Sequence, residues 1–384
     1  MKILVTSLPD LKKINFQRPH QIIKYLSDKH DVTVVCVNAK LEKPVNDPLV
    51  EECLKKTVFY YLSEKPIRPI FQELRVLKKI PKISDKNEPF DIHLNFHGIL
   101  SCYMIQKRLK VPTVLDVCDD IVGWISHTPQ INPIIRPFVA QTSKYLLISN
   151  IKKSKKVIFS IKSLQKLYGI SDGKSEIIPN GVDVDFFSQK SKEKSRNEND
   201  FFTIGFVGFL GDWVDFSSVF TSVAQMKATM KLKILIVGDG PNLGKIQKLA
   251  DDLDLAEQVG FVGNVPYSEI PEKISQMDVC ILPFNDSSVS QHALPLKLFE
   301  YMASNKPVIS SRIEAVEQTI GDKILYYSDP GEFRTNLENL YYNKKMAADM
   351  SIKGTKFVRD EYSWSSILRV YEKVLMDVYN QRGQ

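Results

Sequence analysis

Short β-branched runs alternate with amphipathic stretches along most of the chain, a rhythm that predicts α/β architecture with parallel sheets. The first series of strand candidates is KILVTS (2–7), VTVVCV (32–37), TVFYY (57–61), DIHLN (91–95), PTVLDV (112–117) and KVIFS (156–160). Helical patterns such as PHQIIKYLSDK (19–29) separate most of them. A second series comprises FFTIGFVG (201–208), KILIVG (233–238), QVGFVG (258–263), DVCILPF (278–284), KPVISS (306–311) and KILYYS (323–328). Between the series lies SQKSKEKSRNEND (188–200), charged and without a large apolar residue, which reads as an exposed linker. The expected organisation is an N-terminal α/β domain (1–187), a linker (188–200), a C-terminal α/β domain (201–360) and a terminal helix (361–384). In that last segment apolar residues at 364, 367, 368, 371, 374, 375 and 378 share one helical face, which must dock somewhere.

A length of 384 residues suits two such cores. No apolar run reaches the roughly 18 residues needed to span a bilayer. The start, MKILVTSLPDLKK, is too short in its apolar part and too soon charged for a signal peptide. Cys36, Cys53, Cys102, Cys118 and Cys280 are scattered and form no CxxC pair. Their pattern argues for a reducing, cytoplasmic compartment and against a zinc site or a disulfide framework. The formal charge of +7 is unevenly shared: residues 1–200 carry 33 Lys+Arg against 22 Asp+Glu, a balance of +11, whereas the remainder is at −4. The basic half is expected to face an anionic partner, with membrane lipid, a phosphorylated acceptor and nucleic acid as the classes to weigh.

Two stretches carry candidate chemistry. KILIVGDGPNLGKIQKL (233–249) runs strand, glycine-rich turn, helix, and so resembles a dinucleotide fingerprint. The acidic residue expected about 20 positions on is missing, because the next strand ends FVGNVPY (261–267) with Asn264. The motif also follows the second strand of its series rather than the first. In PLKLFEYMASNKPVISS (295–311), Pro295 opens a helix at its first position and Lys297 falls in the first turn. The helix dipole disfavours a cation there unless an anion is bound or the side chain turns to water.

EIIPNGVDVDFF (176–187), ILIVGDGPNLGKIQKLADDLDLAEQVGFVGNVPYSEIP (234–271) and PLKLFEYMASNKPVISS together resemble family-4-type retaining glycosyltransferases of the two-Rossmann GT-B fold. QRPHQIIKYLSDKHDVTVV (17–35), DVCDD (116–120) and GFLGDWVDF (208–216) are closest to the branch that includes teichuronic-acid-type cell-surface polysaccharide transferases. The resemblance implies two Rossmann-like domains with parallel sheets facing a central cleft, and a C-terminal helix that crosses back to the first domain. It also implies transfer of a hexosyl group from a nucleoside diphosphate, UDP or GDP, to a hydroxyl of a surface glycan or lipid-linked oligosaccharide precursor. Retention and independence of metal and other cofactors follow from the resemblance alone.

On that basis Lys297 and the Leu294 and Leu296 backbone would meet the diphosphate, and Glu300 the ribose hydroxyls. An exposed Glu300 paired with Lys297 is the alternative. Gly208 and Gly211 would allow close backbone approach, while Phe209 stands where the family carries an arginine. His292 occupies the place of the family's first glutamate, as ligand or spectator. Val265 and Tyr267 match positions that contact the base. In the first domain Cys118 and Asp119 match a His-Asp pair. Asp119 could orient an acceptor hydroxyl or cap the next helix, and Arg18 could hold a phosphate or serve at the surface. Asn180 and Gly181 match a turn at the domain border. The DxD string at 183–185 falls in the Asn-Gly-Val-Asp segment and is not read as a metal site.

IRPIFQELRVLKKIPKI (67–83) is a basic amphipathic helix that could lie on the inner face of the cytoplasmic membrane as a peripheral contact, or pack on the core. NIKKSKKV (150–157) adds cations that read as a solvated face. Nucleic acid is disfavoured, since no reading module accompanies the basic segments. Two other classes remain beside the transferase: a non-catalytic GT-B protein that binds a glycan or partner, and a sugar-nucleotide epimerase.

Overall fold

The computed structural model describes residues 1–40, 47–83, 89–128, 131–189, 201–291 and 293–381. Most of the expected linker (190–200) and His292 lie outside the described residues. The chain divides into two compact units, Met1–Asn180 with Ser365–Gln384, and Gly181–Trp364.

In unit 1, β1 (Lys2–Ser7), β2 (Asp31–Cys36), β3 (Val58–Tyr61), β4 (Ile92–Phe96), β5 (Thr113–Val117), β6 (Lys156–Phe159) and β7 (Ser175–Ile177) form one parallel sheet in the order β3-β2-β1-β4-β5-β6-β7. In unit 2, β8 (Phe202–Val207), β9 (Leu232–Val237), β10 (Val259–Gly263), β11 (Val279–Leu282), β12 (Val308–Ser311) and β13 (Leu325–Tyr327) are ordered β10-β9-β8-β11-β12-β13. Helices cover both faces of such sheets, so their inner strands read as unbroken apolar runs; β4, β5 and β11 are buried throughout. Strand order reverses between β1 and β4 and again between β8 and β11. At such a switch point the loops diverge and leave a crevice at the carboxyl ends of the strands, where α/β sheets bind ligands. Each unit is thus a Rossmann-like parallel sheet, as the strand pattern predicts.

Residues 181–187, expected to close the first domain, fall in unit 2. There the helix Val184–Gln189 packs on the helices Leu296–Ala303 and Lys344–Glu361. The basic run 67–83 breaks into two helices, Pro69–Glu73 and Val76–Ile83. The second buries Val76 and Ile80 in a cluster with Leu4, Val35 and Ile105, so its apolar face is spent on the core.

The terminal helix Trp364–Asn380 buries all seven apolar positions of its predicted stripe. From Ser365 onward it belongs to unit 1. There Glu372 accepts from Tyr25 and pairs with Lys29, and the Tyr371 hydroxyl donates to Asp116 Oδ2 at 2.9 Å. Arg18, 2% exposed, completes this knot. Its Nε lies 3.1 and 3.2 Å from the two Asp116 oxygens, its Nη2 3.0 Å from Oδ2, and its Nη1 donates to the Pro179 carbonyl and to Asn180 Oδ1. The expectation that Arg18 meets an acceptor phosphate is thereby corrected, because its guanidinium joins β5, the terminal helix and the border turn inside unit 1.

Removing one member of a buried ion pair strands the other charge, at a cost of about 3–5 kcal/mol. Loss of one hydroxyl hydrogen bond costs about 1 kcal/mol. We expect Asp116→Ala to lower the urea unfolding free energy of unit 1 by the larger amount and Tyr371→Phe by the smaller, with equal losses ruling out the pairing described.

Candidate functional site

The β8/β11 switch point of unit 2 is built by crossing loops. Gly208 follows β8 with φ +150, and a Cβ there would lie 2.2 Å from Lys297 Nζ and 2.7 Å from its Cε. Glycine is needed because the lysine runs directly along the loop backbone. The ammonium sits 4.5 Å from the Phe206 ring centroid and 5.1 Å from that of Phe284, two aromatic faces that hold a cation. The loop is fixed from the β11 side: Asp215 N–H donates to the Pro283 carbonyl and Asn285 N–H to that of Trp213. Asn242 Nδ2 donates to the Gly211 and Val214 carbonyls from below.

The glycines of the dinucleotide-like run have a different task from the one their pattern suggests. A Cβ on Gly238 would stand 1.9 Å from the Gly208 carbonyl oxygen, and one on Gly240 would meet the Leu210 backbone at 2.5–2.8 Å. These glycines let the loop after β9 lie against the loop after β8, and the Gly208 N–H bonds the Val237 carbonyl. They shape the crevice by letting the two loops pack backbone to backbone.

The helix Leu296–Ala303 points its first turn at this loop. Pro295, expected at the first helical position, is instead the N-cap, with φ −72 and ψ 134, and Leu296 begins the helix. Tyr301 anchors the helix to the end of β8 by accepting from Val207 N–H and donating to the Val207 carbonyl. The first N–H groups of a helix have no acceptor within it, and Leu296 and Lys297 supply two of these. Leu294, buried ahead of the cap, serves as a packing residue. Glu300 lies one turn beyond Lys297 and is 6% exposed. The sequence alternative of an exposed Glu300 paired with Lys297 is corrected: its Oε1 accepts from the Tyr267 hydroxyl at 2.8 Å. Tyr267 is stacked on Phe186, with centroids 6.0 Å apart and planes at 11°, and meets Phe187 edge-on. Val265 is half-buried in the same loop after β10.

Burial pushes the Glu300 carboxyl up to about 7, against the opposing pull of the Tyr267 hydrogen bond and the Lys297 charge. It draws Lys297 down to about 8, against the pull of Glu300. Both groups therefore titrate near neutrality. Phe209 is 57% exposed and leans on Trp213, with centroids 5.8 Å apart. Gly211 makes room for that indole, since a Cβ would strike it at 2.6 Å. The loop thus presents an aromatic pair where the family carries a cation. Asp215 accepts from the Ser217 N–H and hydroxyl at the start of the following helix.

Unit 1 carries a second cluster. β4 and β5 are neighbours, so the residues just past their carboxyl ends meet. His97 Nε2 lies 3.2 Å from Cys118 Sγ and 3.6 Å from Asp119 Oδ2, and the thiol stands 3.5 Å from the same oxygen. Asp119 does not cap the next helix. Asp120 does, accepting from Gly123 N–H, and this leaves the Asp119 carboxylate three-quarters exposed. His97 is the residue that sequence reading overlooked. Its left-handed backbone, φ +59, turns the ring towards β5. Among the described residues this trio is also the one group able to offer three ligand atoms to a cation. Cys118 would have to ionise first, and burial together with Asp119 and Asp116 holds its thiol well above the usual range.

Residues 187–357, nearly all of unit 2, match the family model described as Glycosyl transferases group 1. The N-acetyl-alpha-D-glucosaminyl L-malate synthase of Bacillus anthracis is 23% identical over 318 residues, covering 80% of this chain and 79% of its own. TuaH of Bacillus subtilis, described as a candidate teichuronic acid biosynthesis glycosyltransferase, is 24% identical over 148 residues, 38% of this chain and 36% of its own. Anabaena HepE in complex with UDP superposes over 98% of this chain and all of its own, with a TM-score of 0.71 at 13% identity. With the two switch-point sheets, these similarities show the GT-B fold, and unit 2 is similar to group 1 glycosyl transferases.

Glu300 supplies a stability test. Its folded-state value, about 7 against an ordinary 4.5, means that the folded protein keeps a proton the unfolded chain releases. The resulting stabilisation is complete below 4.5 and lost as pH rises through about 7. We expect the wild-type unfolding free energy to fall by up to about 3 kcal/mol between acid and mildly alkaline pH, and Glu300→Gln to flatten that slope in urea titrations.

Proposed function

We propose that unit 2 binds a nucleoside diphosphate sugar, with its pyrophosphate against Lys297 and the first turn of the helix Leu296–Ala303. The observation that carries this reading is the ammonium held beside Gly208 at the switch point, where helix amides and a half-buried cation converge. Donors preorganised towards the charge that develops on a leaving diphosphate are worth about 3–4 kcal/mol each in a transition state. Glu300, fixed by Tyr267, would accept from the ribose hydroxyls. The Phe209–Trp213 pair would border the sugar with carbon surface. UDP is the first nucleotide to test, since HepE is similar in fold and was solved with UDP.

In the reaction we propose, the bond from the anomeric carbon to the phosphate oxygen breaks and one to an acceptor hydroxyl forms with retention. The acceptor's proton passes to the departing diphosphate, so no metal ion enters the scheme. Asp119, held by His97 and Cys118, would orient the acceptor hydroxyl. The acceptor would be a surface glycan or a lipid-linked precursor, of the teichuronic-acid type or another, met at the cytoplasmic face of a membrane. A non-catalytic reading draws support from Phe209, which removes one expected phosphate cation. Donor binding without turnover would favour it.

Calorimetric titration of the full chain with UDP and GDP tests the donor site. Lys297 is charged below about 8 and Glu300 above about 7. Affinity should therefore peak between those values and fall on either side. Lys297→Gln should lose at least about tenfold in affinity, the equivalent of one charged hydrogen bond, and with it the alkaline limb. Glu300→Gln should remove the acid limb. Wild-type affinity in both variants would reject the site.

A further inference from the structure

The cluster past the carboxyl ends of β4 and β5 joins a thiol, an imidazole and a carboxylate, three donor types from which zinc sites are built. Sequence spacing gives no hint of such a site, because His97 meets Cys118 and Asp119 only through the pairing of two strands. Zinc bonds of about 2.3 Å to sulfur and about 2.0–2.2 Å to nitrogen and oxygen, at tetrahedral angles, set ligand atoms about 3.3–3.7 Å apart. Here Nε2 and Sγ are 3.2 Å apart, Nε2 and Oδ2 3.6 Å, and Sγ and Oδ2 3.5 Å. The triangle is close to that of a bound ion, and its histidine–thiol edge need widen by only about 0.3 Å. Protons can bridge two edges of the triangle at most, one from the thiol and one from the ring. A cation over its centre meets all three atoms.

The donor atoms are held in place by their own supports. Gly98 N–H donates to the Phe96 carbonyl at 2.8 Å and Asn95 Nδ2 to the Gly98 carbonyl at 2.9 Å, which fixes the left-handed turn carrying His97. Ser160 Oγ donates to the Cys118 carbonyl at 2.7 Å, and the Arg18–Asp116 pair ties down β5 itself. His97 Nδ1 is buried and has no hydrogen-bond partner among the described residues, so the ring is oriented by what Nε2 meets. A cavity of about 10 Å³, room for one water, is lined by His97, Asp119, Asn95 and Asp116 among others. A small fourth ligand therefore has space beside the three. Thiolate and carboxylate together cancel a charge of +2, so a bound ion leaves no net charge in a half-buried site. Sulfur and imidazole ligands favour zinc over magnesium and calcium, which take oxygen.

We propose that His97, Cys118 and Asp119 bind one zinc ion through Nε2, Sγ and a carboxylate oxygen, with the fourth position left to water or another small ligand. The thiol proton passes to solvent as the bond from sulfur to the metal forms. The ion has no part in the transfer scheme above. It takes the Asp119 oxygen that the scheme assigns to the acceptor, so zinc should compete with the acceptor. That consequence rests on the proposed function, whereas the binding itself does not.

Calorimetric titration of the chelator-treated full chain with Zn²⁺, without nucleotide or acceptor, tests the site. We expect one ion per chain, and no binding of Mg²⁺ at the same concentrations. His97→Asn, which keeps a residue tolerant of the left-handed backbone, Cys118→Ser and Asp119→Asn should each weaken binding by at least about tenfold, a loss seen even for partners that only support a ligand. His30→Gln, at a histidine beside Glu372 elsewhere in unit 1, should leave it unchanged. Titration with Co²⁺ should give a sulfur-to-metal charge-transfer absorption that Cys118→Ser abolishes, since Cys36, Cys53, Cys102 and Cys280 are buried. An unchanged urea midpoint in the absence of metal establishes that each variant is folded. Absence of Zn²⁺ binding, undiminished binding by Cys118→Ser and His97→Asn, or equal binding of Mg²⁺ overturns the proposal. UDP titration of the same variants reports on the donor site separately.

Discussion

A lysine ammonium held half out of water against a glycine backbone is the constraint around which unit 2 is arranged. The cation can be kept there only if something compensates its lost hydration. Two phenyl faces and the nearby Glu300 do so in part. Gly208 cannot carry a side chain because the lysine occupies that space, and Gly238 and Gly240 cannot because the loop bearing Gly208 rests on them. Asn242, Asn285 and Tyr301 then fix the loop and the helix by backbone hydrogen bonds. The crevice is thus a chain of steric permissions, each glycine admitting the next element, that ends at one positive charge.

Unit 1 solves a different problem. Its terminal helix is far from β5 in sequence, and apolar burial alone would leave its register weakly specified. The Asp116 carboxylate is met by Arg18 and by Tyr371 from that helix, so a slip of the helix would leave a buried charge short of a partner. The neighbouring residues Cys118 and Asp119 emerge from the end of a strand fixed in this way, and His97 reaches them from β4. A carboxylate at the surface keeps its position because the strand beneath it is held by a buried one.

Much of this was legible in the sequence because parallel strands buried on both faces write themselves as apolar runs. β1 to β6 and β8 to β13 all fall on predicted runs, whereas β7, three residues long with Glu176 and Ile177 exposed, left no such signature. The stripe of the terminal helix was legible for the same reason, every position being buried. Side-chain partnerships were not. Which of Asp119 and Asp120 caps a helix depends on one residue of backbone geometry, and Arg18 reads as a surface cation until Asp116, 98 positions away, is brought beside it. His97 became visible only through strand adjacency and a left-handed turn. The glycine run after β9 was misleading because close packing of two loops and close approach of a ligand call for the same residue.

Charge is distributed against the simplest expectation for a protein that handles an anionic donor. Residues 201–384, which hold Lys297, are at −4, while the basic excess lies in residues 1–200. Long-range attraction over more than about 8–10 Å is screened by salt, so net charge governs encounter with extended surfaces more than the holding of one pyrophosphate. A single cation in a partly dehydrated crevice interacts more strongly with a bound charge than several do in water, because the effective dielectric is lower. With Phe209 in place of a second cation, that local amplification is the device available to the loop, and it requires Lys297 to stay desolvated. The same desolvation draws its pKa down towards 8. A stronger electrostatic grip and a narrower pH range are therefore two consequences of one arrangement, and a more solvated lysine would lose both.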